Sequence, residues 1–231
     1  MPAVVRPVAA LACLALLAAG CGGSDKPEKS PAGARAATAT AAPQTGGCTK
    51  AANPGPKTEP KLSKPHAQLN PNKRYVATVA TSCGDFEITL DAKRAPKTGG
   101  NFAYLVSKRF YDGLTFHRIV PDFVIQGGDP AGNGTGGPGY TVVEAPPKSL
   151  TYDPGVVAMA KTAADPSGAS GSQFFVVTGS GAASLPPQYA LLGKVTEGMD
   201  VVRRIGAVQA DPSTGQPASP VVIKTIRIKA S

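Results

Sequence analysis

The chain has 231 residues, 42% of them apolar, which is enough for one domain with a hydrophobic core and additional segments. The formal net charge is +9, and most of it precedes the predicted domain: residues 22–74 carry nine basic and three acidic groups, whereas residues 75–231 carry fourteen and twelve. The nearly neutral domain shows no basic face with aromatic side chains, which excludes a nucleic-acid-binding protein.

The first 20 residues are typical of a bacterial lipoprotein signal peptide. Arg6 precedes an apolar run from Val8 to Ala19, and these twelve residues are too few to span a bilayer. The run ends in LAAGC, which resembles a lipobox and makes Cys21 the expected lipidation site. The alternative is plain secretion after cleavage at a small residue. We therefore expect an extracytoplasmic protein, lipid-anchored to the bacterial cell membrane, or secreted if the lipobox is not used.

Residues 21–72 are predicted to be a disordered tether between the anchor and the domain. They are rich in Pro, Ala, Thr, Lys and Gly and contain almost no large apolar residue. Such a composition cannot bury enough apolar surface to offset the entropy lost on ordering. The basic groups of the tether suit the neighbourhood of an anionic membrane or cell wall.

Cys48 lies in the tether and Cys83 in the first predicted hairpin. If the signal peptide is removed and Cys21 is lipidated, these are the two remaining cysteines. An oxidising compartment favours a disulfide between them, and two unpaired thiols are the alternative. No CxxC pair or Cys/His cluster in the sequence indicates a metal site instead.

Residues 73–231 are predicted to form the folded domain. Apolar residues at helical spacing predict two helices, over 95–108 and 197–205. Alternating residues and turn signals predict strands over 75–81, 85–90, 111–126, 139–144, 155–160, 173–178, 189–195 and 221–229. Many short strands with only two helices indicate a mainly β domain, either a barrel or a sandwich.

The glycine-rich sequence GNGTGG, residues 132–137, matches the dinucleotide-binding pattern GxGxxG. That pattern requires a helix after the glycines, whereas the sequence that follows here, PGYTVV, is typical of a strand. We therefore interpret the segment as a flat loop beside a groove. Neither His66, in the tether, nor His117 has a histidine partner suited to a metal site, so no metal or cofactor is expected.

Arg118 interrupts an apolar stretch of the predicted strand 111–126. With a period of two residues, Phe116, Arg118 and Val120 would share one face of this strand and His117 would lie on the other. Taken alone, Arg118 is most simply an exposed strand residue whose aliphatic stem covers apolar surface.

Four segments, in this order along the chain, resemble the cyclophilin family of peptidyl-prolyl cis-trans isomerases. They are PKT and NF, from residues 96 and 101; FHRIVPDFVIQGGD and NGTGG, from 116 and 133; MA and GSQFFV, from 159 and 171; and LGKVTEGM, from 192. The resemblance covers about residues 75–229. It implies a mainly β fold, namely a closed eight-stranded antiparallel β-barrel capped by two α-helices, and an isomerase that needs no cofactor.

The resemblance also implies the roles of individual residues. The implied catalytic residues are Arg118, Gln126 and Phe123. The implied peptide-binding residues are Val124, Ala160, Lys161, Gln173, Phe175, Leu185 and Tyr189. Lys161 stands where the family usually has asparagine, and Tyr189 where it often has histidine. Without the resemblance, the apolar members of this set would be interpreted as core residues and the glutamines as ordinary polar strand residues.

The expected substrates are proline-containing polypeptides, and the expected role is to assist the folding of exported or surface proteins. We expect a monomer that is attached to the membrane through its lipid anchor. The alternative is a protein of cyclophilin fold that binds proline-containing segments, or acts as a chaperone, with little turnover.

Overall fold

A computed structural model describes residues 47–231 of the chain. The predicted signal peptide, Cys21 and the first part of the tether lie outside these residues. Within the described part, no helix is both long and apolar enough to cross a bilayer.

Ten strands and two α-helices make up the described domain. The strands are β1 (Tyr75–Thr81), β2 (Gly84–Leu90), β3 (Leu114–Val120), β4 (Val124–Gly127), β5 (Val142–Val143), β6 (Val156–Met159), β7 (Ala169–Ser170), β8 (Phe174–Val177), β9 (Leu191–Glu197) and β10 (Val222–Ala230). The helices are α1 (Pro96–Ser107) and α2 (Met199–Gly206). Proline at the first position of α1 costs no hydrogen bond, since that N–H has no partner within a helix.

Eight of the strands close into an antiparallel barrel in the order β1-β10-β3-β4-β8-β6-β9-β2. Strands β5 and β7 form a separate two-stranded sheet. Closure into one barrel excludes the sandwich that composition alone left open and confirms the fold implied by the resemblance.

The barrel core contains a cluster of aromatic rings around Phe174. The rings of Phe102, Tyr111 and Phe116 lie 5.0 to 6.0 Å, between centroids, from this ring or from one another. Phe102 comes from α1, so this cluster attaches the helix to the barrel. Edge-to-face and tilted packing of this kind adds about 0.5–1.5 kcal/mol per pair to the burial of apolar surface.

The predicted strand 111–126 is in fact two strands, β3 and β4, joined by a tight turn. Asp122 in this turn has a φ of 55°, a left-handed conformation that Asp tolerates better than most residues. Its carboxylate accepts hydrogen bonds from the N–H and the hydroxyl of Ser180. The turn reverses the chain and brings Gln126 opposite Arg118.

The prediction that Phe116 and Arg118 share one face of this strand is also wrong. The register between β3 and β4 shifts between these two residues. The shift is a β-bulge, in which an extra residue interrupts the two-residue alternation. Phe116 and Ile119 both point into the core, where they are almost fully buried. Arg118 is only half-buried and lies on the other face.

Residues 48–69, which we call the strap, contain no helix or strand but lie along the barrel. This segment belongs to the predicted tether, and main-chain hydrogen bonds together with Leu62 and Leu69 attach it to the domain. Leu69, at its end, is buried and its N–H donates to the carbonyl of Pro96 at 3.0 Å. Helix α1 lets the strap approach closely at Gly100, where any Cβ would collide with the carbonyl oxygen of Ala67.

A disulfide between Cys48 and Cys83 fixes the beginning of the strap. Cys83 is buried, and the N–H of Thr49 donates to the carbonyl of Ser82 at 2.8 Å beside it. The pairing closes a loop of 35 residues in sequence separation. In the chain-entropy treatment, a loop of this size stabilises the fold by about 3–4 kcal/mol.

Replacing both cysteines by alanine should therefore lower the free energy of unfolding by about 3–4 kcal/mol. Urea denaturation of the oxidised wild type and of Cys48→Ala/Cys83→Ala measures the difference. The reduced wild type serves as a control and should match the double variant. Equal midpoints for oxidised and reduced wild type would show that the disulfide contributes nothing.

Candidate functional site

A row of paired residues crosses four strands of the barrel. Arg118 on β3 lies opposite Gln126 on β4, Gln126 opposite Phe175 on β8, and Phe175 opposite Ala158 on β6. Because paired residues of neighbouring strands project to the same side of a sheet, this register brings an arginine, an amide and an aromatic ring together.

A cavity of about 190 Å³ opens beside this row. Its lining consists of Arg118, Phe123, Val124, Gln126, Ala160, Lys161, Phe175, Leu185 and Tyr189. The structure thus brings nine of the ten residues implied by the resemblance around one cavity. Gln173, the tenth, does not line it and lies behind Gln126.

The polar side of the cavity is a chain of hydrogen bonds. A guanidinium nitrogen of Arg118 donates to Oε1 of Gln126 at 3.4 Å, and Nε2 of Gln126 donates to Oε1 of Gln173 at 3.0 Å. Nε2 of Gln173 donates in turn to the carbonyls of Gly134 and Gly136, both at 2.9 Å. The orientation of Arg118 is therefore connected to the glycine-rich loop.

We call residues 129–138, which contain those glycines, the rim loop. Asp129 is almost fully buried, and its carboxylate accepts hydrogen bonds from the backbone N–H groups of Ala131, Asn133 and Gly134. These bonds fold the loop so that the two glycine carbonyls face Gln173. The glycines thus serve as acceptors for a side chain and do not form a phosphate-binding turn before a helix.

The apolar side of the cavity is built from aromatic rings packed edge to face. The rings of Phe175 and Tyr189 lie 5.4 Å apart at an interplanar angle of 88°. On the other side, the guanidinium carbon of Arg118 lies 5.9 Å from the centre of the Phe123 ring. The cavity therefore places a cationic donor next to an apolar wall.

Tyr152 holds Tyr189 in place from behind. Its hydroxyl donates to the carbonyl of Tyr189 and accepts from the N–H of the same residue, both at 2.9 Å. Burial raises the pKa of Tyr152 to about 12, so the hydroxyl keeps its proton at neutral pH. No sequence pattern marks Tyr152, because only the folded chain brings it next to Tyr189. The role of Asp129, two residues after the end of β4, was likewise missed.

Lys161 points its ammonium group at its own loop. The Nζ atom donates to the carbonyls of Thr162 and Asp165, at 2.9 and 3.0 Å, and lies 5.8 Å from the centre of the Tyr189 ring. With its side chain held in this way, Lys161 is still one of the residues that line the cavity.

His117, at the bulge, faces a different cavity of about 150 Å³ between the barrel and the strap residues Asn53 and Pro56. Among the described residues, neither ring nitrogen of His117 has a hydrogen-bond partner. Burial lowers the pKa of His117, and Arg118 lowers it further, while Asp129 acts in the opposite direction. The neutral imidazole is therefore the form that the folded state favours.

Comparison with known proteins identifies the family. The sequence pattern described as "Cyclophilin type peptidyl-prolyl cis-trans isomerase/CLD" matches residues 76–228. The peptidyl-prolyl cis-trans isomerase B of Streptomyces anulatus is 40% identical over 68% of this chain and 98% of its own length. The peptidyl-prolyl cis-trans isomerase A of Mycobacterium tuberculosis is 38% identical over 69% of this chain and 94% of its own length.

A solved structure shows the same architecture. It is a cyclophilin type peptidyl-prolyl cis-trans isomerase of Cryptosporidium parvum, determined in the presence of the dipeptide Ala-Pro. The two chains superpose with a TM-score of 0.61 at 30% sequence identity, over 67% of this chain and 98% of that one.

Because the pKa of His117 is lower in the folded than in the unfolded protein, the unfolded state binds more protons just below the unfolded pKa of about 6.5. The contribution to stability is complete above that pH and decreases as the pH falls towards the folded-state pKa. We expect a slope of at most about 1.4 kcal/mol per pH unit from this group. Urea denaturation between pH 7.5 and 5.5 should show a shallower dependence for His117→Gln than for wild type; parallel curves would contradict the prediction.

Proposed function

This chain belongs to the cyclophilin family and is a peptidyl-prolyl cis-trans isomerase, and we propose that it acts through Arg118. The observation that carries the proposal is the row formed by Arg118, its strand partner Gln126, and Phe175 opposite Gln126, beside a cavity with one apolar wall. The substrates are proline-containing polypeptides, in keeping with the dipeptide Ala-Pro in the Cryptosporidium structure.

The reaction is a rotation about the amide bond that precedes proline. The barrier to this rotation is high, about 18–20 kcal/mol for a peptide bond. It is high because resonance across the C–N bond is lost halfway through the rotation. At the twisted midpoint the nitrogen regains a lone pair and can accept a hydrogen bond. A donor at that position stabilises the transition state more than either planar ground state, which is the requirement for catalysis.

Arg118 supplies this donor to the prolyl nitrogen, and Gln126 orients its guanidinium group through the hydrogen bond at 3.4 Å. Phe123, Val124, Phe175 and Leu185 enclose the proline ring. The backbone groups of Ala160 and Lys161 hold the residue before proline. An apolar wall also favours the twisted amide, which is less polar than the planar one.

Removing the donor should abolish most of the rate enhancement. We expect Arg118→Ala to lower kcat/KM by about 10²–10³, the range typical of a lost transition-state donor. A chymotrypsin-coupled assay on a proline-containing peptide measures this. The matched control is Arg227→Ala, because Arg227 pairs with Asp112 away from the cavity and should leave kcat/KM unchanged.

Two outcomes would contradict this assignment in different ways. An Arg118→Ala variant with the wild-type kcat/KM would mean that another group provides the donor. A wild-type protein that binds the peptide but gives only the background rate would identify a binding module with little turnover.

The proposal extends to where the enzyme works. Cys21, after LAAG, becomes the lipid-modified first residue of the mature protein, and the chain up to Cys48 connects the membrane to the barrel. The Cys48–Cys83 disulfide supports a location outside the cytoplasm, since reducing compartments rarely keep such bonds. There the enzyme accelerates the folding of exported or surface proteins, as a monomer.

Changing the lipidated residue tests this location. Cys21→Ser should shift the protein from the membrane fraction to the medium or the soluble extracytoplasmic fraction, and should abolish labelling by radioactive palmitate. Globomycin, which blocks lipoprotein signal cleavage, should cause the uncleaved wild-type precursor to accumulate. Unlabelled wild-type protein would contradict lipid anchoring and leave plain secretion.

A further inference from the structure

The strap contacts the rim loop near both ends of that loop. The N–H of Lys57 donates to the carbonyl of Pro130 at 2.8 Å, and the N–H of Leu62 donates to the carbonyl of Pro138 at 3.2 Å. Between these two points, the N–H of Gly137 donates to Oε1 of Glu59 at 3.3 Å. Seven residues lie between the two prolines, so the strap holds most of the rim loop between two main-chain hydrogen bonds.

The rim loop in turn holds the side chains that orient Arg118. Gln173 donates to the carbonyls of Gly134 and Gly136, which lie within the stretch that the strap brackets. Gln173 then accepts from Gln126, and Gln126 accepts from Arg118. Through the peptide group shared by Gly136 and Gly137, a series of hydrogen bonds therefore connects the strap to the guanidinium group.

The strap is itself anchored independently of the rim loop. The disulfide fixes its beginning at Cys48, and the buried side chain of Leu69 fixes its end beside α1. Leu62, midway, packs against the hydrophobic core with its side chain partly buried. A segment held at three points can keep a glycine-rich loop in one conformation, although glycine leaves the loop itself many alternatives.

We propose that the strap positions the catalytic arginine, with Glu59 as its positioning side chain and the N–H groups of Lys57 and Leu62 as its main-chain clamps. The inference rests on the proposed role of Arg118. The strap residues do not line the cavity beside Arg118, so they act through the rim loop and not by contact with the peptide. The predicted tether thus includes a segment that works as part of the enzyme.

The strap makes three hydrogen bonds to the rim loop, and the test removes two of them, those of Glu59 and of the Leu62 N–H. The full chain is used, with its disulfide intact. Glu59→Ala/Leu62→Pro deletes the carboxylate and the N–H that face the rim loop. Glu59→Gln/Leu62→Ala is the matched control, because it changes the same positions but keeps the side-chain oxygen and the N–H. We expect the first variant to lower kcat/KM about fivefold to tenfold, mainly through kcat, and the control to stay within about twofold of wild type.

A double-mutant cycle separates positioning from a loss of stability. All assays are run where urea denaturation shows each variant to be folded. If the strap acts through Gln173, then Glu59→Ala/Leu62→Pro should cause no further loss in a Gln173→Ala background. Equal fold-losses in both backgrounds, or a wild-type kcat/KM in the strap variant, would overturn the inference.

A spectroscopic measurement covers the case in which the double variant does not fold. The single variant Glu59→Ala should shift the side-chain amide ¹H–¹⁵N resonances of Gln173, whereas Glu59→Gln should not. Unshifted resonances in Glu59→Ala would overturn the inference. Failure of the proposed function would be seen separately, because Arg118→Ala would then retain the wild-type kcat/KM whatever the strap variants do.

Discussion

Closure of the barrel sets the register on which every other feature of the site depends. Eight strands hydrogen-bonded in a ring leave no free edge, so each strand has a fixed offset from both of its neighbours. That offset places Arg118, Gln126 and Phe175 in one row. The bulge between Phe116 and Arg118 lets Phe116 and Ile119 fill the core while the arginine turns to the cavity.

Around this row, the site combines two environments that differ in polarity. Edge-to-face rings provide an apolar wall, and a hydrogen-bonded series of Arg118, Gln126 and Gln173 provides a fixed donor opposite it. Such a combination suits the twisted amide of an X-Pro bond, which is less polar than the planar amide but presents a nitrogen lone pair. Preorganised donors are effective because they need not reorient as the reaction proceeds.

The strap shows how a segment with few large apolar residues can still be held on a domain. Leu62 and Leu69 supply limited burial, while the disulfide and the main-chain hydrogen bonds supply the rest. Gly100 on α1 lets the strap backbone approach closely. The glycines that resemble a nucleotide-binding pattern instead present their backbone groups to the side chains of Gln173 and Glu59.

The sequence by itself determined most of the elements and the family, and through the family resemblance nine residues of the cavity, because alternation, turn residues and four collinear segments are local signals that survive without a fold. It did not show the break between β3 and β4 or the bulge at His117, because residues 111–126 have the pattern of one continuous strand and only the pairing of β3 with β4 reveals both features. Composition also gave no sign of the main-chain hydrogen bonds between the strap and the domain, because such bonds use backbone groups that carry no sequence signal. Only the tertiary structure joined the strap and Tyr152 to the site, because their partners lie 78 and 37 residues away along the chain.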